Sequence, residues 1–379
     1  MTGIVLLLLC AVAGVTLSCK RSITTAGGTK APSRICSGDL IFDEEFHTFD
    51  FQTWNHEKTA AGGQHWEFEI YLNNRSNSFV RDGKLFIKPT LTADKFGERF
   101  LSTGKLLLYG GSPADACTNP SDWGCERIGT REHVLNPITS ARIRTVDSFH
   151  YRYGRVVGRA KMPAGDWLWP AIWLLPRYNE YGPWPASGEI DLSESRGNRN
   201  LTIDGLNIGT EICSSTLHFG PFSPFDGWQD ATYRKRLEPG KGFDQDFHLF
   251  QMEWTNDHLK FAVDGQEIGR IDPPEGGFWQ LGEFESRTGN VDNPWVDGTK
   301  MAPFDKEFYF ILNLAVGGVN GYFPDNAVNP GTKPWKNNST RASTDFWNGR
   351  DQWLPTWQLD LNNGESAALQ VDYIKVWAI

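Results

Sequence analysis

No stretch of this 379-residue chain keeps a helical hydrophobic period for more than about three turns, whereas many short stretches alternate with a period of two. That pattern points to a β architecture. Residues 65–71 (HWEFEIY) alternate in part, and residues 150–160 (HYRYGRVVGRA) alternate basic with apolar side chains. Residues 80–88 place Asp82-Gly83 between apolar flanks, which predicts a hairpin. Residues 248–269 read as three strands with turns at Asn256-Asp257 and Asp264-Gly265. Residues 308–316 (FYFILNLAV) suit a strand buried on both faces, and 367–379 alternate to the C-terminus. Long segments rich in glycine, proline and aromatics separate these stretches, at 177–188, 219–246, 272–304 and 319–360. Many strands joined in this way predict a β-sandwich, and aromatic loops of such length are usually functional. No repeat or composition break divides 37–379, which predicts one large domain.

Residues 1–18 are apolar, end in small residues and precede Lys20 and Arg21, as in a secretory signal peptide. The expectation is a secreted, extracellular, monomeric protein with a short cross-linked segment, 19–36, ahead of the domain. Export favours disulfides. Cys117 and Cys125 bracket a turn-rich loop and are paired; Cys19 is paired with Cys36, leaving Cys213 as a free thiol. Sequons open at Asn74, Asn200, Asn337 and Asn338, with glycans expected at one or two of them. The net charge of −9, without a long basic run, argues against nucleic-acid and membrane partners. The 16 Trp include Trp184, Trp228, Trp279, Trp295 and Trp335 in loop-like sequence. An indole face beside a polar rim suits a sugar ring, though core packing accounts for more than half of the 16.

The residues G-E-I-D-L-S-E-S, 188–195, crowd Glu189, Asp191 and Glu194 into six positions. On a strand, Glu189 and Asp191 share a face, with Ile190 and Leu192 opposite. Strict alternation would aim Glu194 at the apolar side, where an unpaired carboxylate is very costly. One extra residue near Leu192-Ser193, a β-bulge, returns it to the acidic face. Three carboxylates so arranged could serve glycoside hydrolysis, which needs two of them across one bond. They could also hold calcium, which wants further backbone oxygens, or form a solvated strand face, which more often carries mixed charge. The chain has no H-E-x-x-H, Walker A, G-x-S-x-G or EF-hand pattern, and its His show no metal-ligand spacing. No cofactor or metal is therefore expected. The glycine-rich 316–321 (VGGVNG) reads as close packing or a cleft wall.

Around this motif the chain resembles glycoside hydrolase family 16, specifically animal laminarinases and the related β-1,3-glucan recognition proteins. The resemblance runs from S-G-D-L-I-F-D-E-E-F (37–46) through Y-L-N-N-R-S-N-S-F-V (71–80), L-N-P-I-T-S-A-R-I-R-T (135–145) and Y-G-R-V-V-G-R-A-K-M-P (153–163). It continues through W-L-W-P-A-I-W-L-L-P-R, S-G-E-I-D-L-S-E-S-R-G-N and residues 301–318 to V-D-Y-I-K-V-W (371–377). It implies an all-β jelly-roll sandwich of two antiparallel sheets with a concave substrate cleft, acting as an endo-1,3-β-glucanase on laminarin-type glucan with retention. By motif position Glu189 resembles the nucleophile, Glu194 the acid/base, and Asp191 an assisting acid. Asn77, Arg142, Trp169, Trp184, His218 and Asn313 resemble substrate-binding residues. Ser193 departs from the family, which often has Met or another bulky apolar residue there. The alternative is a non-catalytic glucan recognition protein. Such proteins typically lack one or both glutamates and carry an additional N-terminal module.

Overall fold

A computed structural model describes residues 22–24, 30–32, 34–110 and 116–379. The expected 1–18 signal peptide and Cys19, with its expected bond to Cys36, lie outside the described residues. Two antiparallel sheets of eight strands face each other as a jelly-roll sandwich. The cleft sheet orders Thr232–Arg236, Ile212–His218, Glu189–Ser195, Leu168–Pro176, Phe308–Val316, Arg142–Arg144 and Asn55–His56, with His150–Tyr151 also on Phe308–Val316. The other sheet orders Gln266–Ile271, Leu259–Val263, His248–Trp254, Gly154–Lys161, Leu369–Trp377, Lys84–Ile87 and Ser78–Arg81, with Leu40–Glu44 also on Leu369–Trp377.

The expected hairpin at Asp82-Gly83 forms, and both residues take left-handed φ, +50° and +66°, as a tight two-residue turn requires. All nine residues of Phe308–Val316 are buried, as their unbroken apolarity predicts. Residues 150–160 do not make one strand. His150–Tyr151 pairs in the cleft sheet and Gly154–Lys161 in the other, because the chain crosses between sheets at Tyr153, φ +65°. The alternation survives the crossing, so periodicity alone hides it.

The long loops carry structure of their own. Among them lie the strand Thr232–Arg236 and short helices at Gly277–Leu281, Phe284–Thr288, Ala342–Asn348 and Arg350–Trp353. Most of their large aromatics join the main hydrophobic core rather than waiting for a ligand. Trp279 and Trp295 pack with Phe284, and Trp335 with Phe68, Trp167 and Phe346. These three indoles are buried, so the sugar-face expectation fails for them. Trp295 donates to Ala186 O at 2.7 Å and Trp335 to Gly318 O at 2.8 Å, which satisfies each buried N–H.

Between the sheets, Ile190, Leu192, Ile172, Leu174 and Leu312 meet Val156, Phe250, Met252, Val371 and Ile374 in one core. Gly158 faces this core from the second sheet, and a Cβ there would lie at ordinary contact distance, 3.9 Å, from a Leu192 methyl. Each such aliphatic side chain contributes roughly 1.5–3 kcal/mol by leaving water. At Gly317, φ +67°, a Cβ would lie 2.2 Å from the Phe68 ring. The glycine-rich turn is thus close packing. Gly317→Ala is expected to destabilise the fold by about 2–4 kcal/mol in urea unfolding, from overpacking plus left-handed strain. A loss under about 0.5 kcal/mol would show that Phe68 can move aside.

Candidate active site

Three neighbouring strands supply most of the site. On Glu189–Ser195 the register against Ile212–His218 shifts between Asp191 and Glu194. Against Leu168–Pro176, Ser193 faces Ile172 and Asp191 faces Trp173, leaving Leu192 as the additional residue. This is the expected bulge. Ile190 and Leu192 enter the core, while Glu189 and Glu194 are half-buried at the cleft and Asp191 is buried between them. Ser193 is fully buried, its hydroxyl 3.0 Å from the Cys213 thiol. The small side chain is accommodated by that polar contact behind the bulge. Burial pushes the Cys213 thiol up to about 12, so it is inert packing rather than a nucleophile.

Each glutamate receives an indole N–H. Trp184 donates to Glu189 Oε2 at 2.8 Å and Trp169 to Glu194 Oε1 at 2.7 Å. His218, paired opposite Glu189, sits between two aspartates: Nδ1 is 2.6 Å from Asp226 Oδ2 and Nε2 is 3.3 Å from Asp191 Oδ2. Burial opposes charge on the ring, but hydrogen bonds to the two aspartates and the charges of Glu189 and Asp191 hold it well above the usual imidazole range. Burial is also the largest influence on the acids. Glu189 is pushed up to about 8 by burial and then by Asp191, and Asp191 to about 6 by burial and then by Glu194. Glu194 is raised by burial, against the lowering effect of Trp169. The cluster therefore holds protons near neutrality.

One ligand atom each from Glu189, Asp191 and His218 lies within 4.8 Å of the others, a spacing a cation could use. Both ring nitrogens of His218 already face an aspartate, Nδ1 Asp226 and Nε2 Asp191. The arrangement acts as a charged hydrogen-bond clamp on Asp191.

Of the remaining expected residues, Asn313 accepts from Trp173 Nε1 at 2.6 Å and donates to Tyr71 Oη at 3.1 Å. Arg142 lies with its guanidinium 4.6 Å from the Trp173 ring centre and Nε 3.3 Å from Glu57 Oε2. Both belong to the cleft sheet beside the acids. Asn77 differs. Its side chain is fully buried and donates to Lys88 O, Thr90 Oγ1 and Thr139 O, each at 2.9 Å. It ties loops together and does not reach the cleft.

Trp173, His65, Tyr322 and Asp226 escaped the sequence reading. Trp173 was findable, since Trp169, Ala171 and Trp173 alternate on one face of Leu168–Pro176. Tyr322 stacks on Trp169 at 3.9 Å and 9°, and His65 lies against the same ring at 5.8 Å. Those two, like Asp226, arrive from loops, and nothing local in the sequence marks them.

Comparison with known proteins fits this geometry. Residues 125–279 match the family model described as glycosyl hydrolases family 16. The chain is 48% identical over 340 residues to a beta-1,3-glucan-binding protein of Penaeus monodon, covering 89% of this chain and 90% of that protein. It is 34% identical over 372 residues to beta-1,3-glucan-binding protein 1 of Galleria mellonella, covering 96% and 68%. The laminarinase of Rhodothermus marinus superposes with a TM-score of 0.53 at 21% identity, covering 91% of this chain and 99% of that one. The endo-beta-1,3-glucanase of Pyrococcus furiosus does so with a TM-score of 0.54 at 22%, covering 94% and 97%. At those identities the two structures speak for the fold, and the animal relatives speak for descent. A jelly roll whose bulged strand turns three acids to the cleft, with relatives this similar along nearly the whole chain, places it: the chain belongs to glycosyl hydrolases family 16.

Proposed function

We propose that the chain is a secreted endo-1,3-β-glucanase that hydrolyses laminarin-type β-1,3-glucan with retention of configuration. The observation that supports this most is the complete acid set. Glu189 and Glu194 face the cleft from one bulged strand, each held by an indole N–H. In a retaining mechanism Glu189 attacks the anomeric carbon while Glu194 protonates the departing glycosidic oxygen. Glu194 then takes a proton from the water that releases the sugar. Glu189 and Asp191 are hydrogen-bonded and take up protons as a pair. Passing the proton of that hydrogen bond to Asp191 leaves Glu189 anionic for attack. Positive charge developing on the sugar favours that distribution. Trp184, touching Glu189 and only part-buried, offers a ring face to the sugar, while Trp169, covered by Tyr322, holds Glu194 through its N–H.

A second reading is favoured by the names of the animal relatives, beta-1,3-glucan-binding proteins. Under it the same cleft holds glucan without cutting it. Product analysis separates the two. Purified protein on laminarin is expected to release short oligosaccharides before glucose, because internal cuts dominate in an open cleft. Glucose as the sole early product would contradict an endo mode. Laminarin bound but uncut would establish the recognition reading instead.

A further inference from the structure

Most indoles whose exposure the structure gives are buried, but Trp66 is 46% and Trp123 69% exposed, and these two stand together. Their ring centres lie 6.4 Å apart at 35°. Each indole sits on a residue in left-handed backbone, φ +53° and +58°, a conformation that costs a bulky side chain about 1–2 kcal/mol. Something must hold them there, and the structure shows what does. The Cys117–Cys125 disulfide closes the loop bearing Trp123. Ala60 N–H donates to Gly124 O at 2.8 Å, fixing that loop on the segment that leads to Trp66. Arg127 donates to both Ala60 O, 2.9 Å, and Asp122 O, 2.7 Å, with its guanidinium 5.9 Å from the Trp66 ring centre. Two large apolar faces are thus kept in water by a rigid frame, with exposed Ser121 and Asp122 as hydroxyl and carboxylate beside them.

The frame is continuous with the cleft. At one end of the same segment Glu57 pairs with Arg142 and Arg144 of the cleft sheet. At the other end His65, next to Trp66, lies against Trp169, whose N–H holds Glu194. We propose that Trp66 and Trp123 form a sugar-stacking platform outside the cleft that takes up a β-1,3-glucan chain where it leaves the Glu194 side. The proposal rests on the glucan reading of the cleft and adds a length requirement to it. A pyranose presents an apolar C–H face to an indole and hydroxyls to a polar rim. Two tilted rings suit the helical turn of a β-1,3-linked chain better than a flat ribbon. The platform would let the protein prefer long polysaccharide over its own short products.

Binding by calorimetry in a Glu189→Ala background, which removes cleavage, tests this. Laminaritetraose serves as the short probe and laminarin as the long one. Laminarin is expected to bind the parent more tightly than the tetraose, and Trp66→Ala/Trp123→Ala to lose roughly tenfold for laminarin, with less than a twofold change for the tetraose. Trp123→Ala alone, at a mostly exposed side chain where folding is not at issue, is expected to lose roughly threefold. Laminarin affinity within twofold of the parent in both variants would overturn the platform and leave the cleft reading intact. A parent that binds neither sugar would overturn the cleft reading itself. Sedimentation showing a parent dimer that becomes monomeric in the double variant would assign the pair to a second copy of the chain and overturn the platform.

Discussion

Glu194→Ala, supplied with azide and a laminari-oligosaccharide carrying a leaving group that needs no proton, is expected to form a β-glycosyl azide. Glu189→Ala is expected to form the α-anomer. If Glu189 is the nucleophile, it can still attack when Glu194 is gone, and the glycosyl-enzyme accumulates because no base activates water. Azide needs no base. It displaces Glu189, and two inversions keep the configuration. Without Glu189, azide must attack the sugar directly, and one inversion results. On laminarin itself both variants should lose activity by about 10²–10⁴-fold or more. Exchanged azide anomers would mean that the two roles are reversed, and full laminarin activity in both variants would remove this strand from the chemistry. The same change should reveal what the acid cluster costs the fold. Glu189 binds its proton more tightly folded than unfolded, with a folded value of about 8 against an ordinary 4.5. Its contribution to stability is therefore complete below about pH 4.5 and lost as pH rises towards 8 and beyond. Above pH 8 Glu189→Ala should unfold at a higher temperature than the parent, by an amount worth on the order of 1–2 kcal/mol once cleft water has screened the effect.

The acid motif was legible because it breaks a local rule. Three like charges on a strand, with Glu194 out of phase, make sense only with a bulge, and the register shift at Leu192 is that bulge. The cleft wall was partly legible through the family resemblance, which pointed to Trp169 and Asn313, and both stand on regular strands of the cleft sheet. What the sequence hid depends on contacts made through loops. Asp226 reaches His218 because the chain after Phe219 folds back, Gly227 N–H donating to Phe219 O at 2.7 Å. Asn77 was misplaced for the complementary reason. A buried amide that ties three loop and strand atoms looks, in one dimension, like an amide that binds a sugar. The loop tryptophans show the same ambiguity. Trp295 and Trp335 have glycine-rich and proline-rich neighbours similar to those of Trp184, yet only their partners in space decide that they are core.

Asp226→Asn is expected to lower the titration of the His218 ring by a unit or more, followed by its imidazole NMR signals, with kcat on laminarin falling roughly tenfold and KM changing less than twofold. The ring is surrounded by Asp191, Asp226, Glu189 and Glu194, with His65, which burial holds below the usual imidazole range, as the opposing titratable group and Trp184 at 5.7 Å. Burial favours the neutral ring, so its charge depends on the aspartates at each nitrogen. Asparagine can still accept from Nδ1, which preserves the geometry while removing one of the two charges that hold the proton. A neutral ring would leave Asp191 without its counter-charge and make the Glu189–Asp191 pair harder to ionise, which impairs attack rather than sugar binding. The sign for stability follows. His218 is raised in the folded state, so its contribution is complete below about pH 6.5 and is lost as pH rises through the folded value. The variant should thus be less stable than the parent by about 1.4 kcal/mol per unit of lowering between about pH 5 and 6.5, and the deficit should fade on the alkaline side. An unmoved ring titration in Asp226→Asn would show that Asp191 alone holds the charge. A deficit that grows with pH would contradict a protonated ring in the resting cleft.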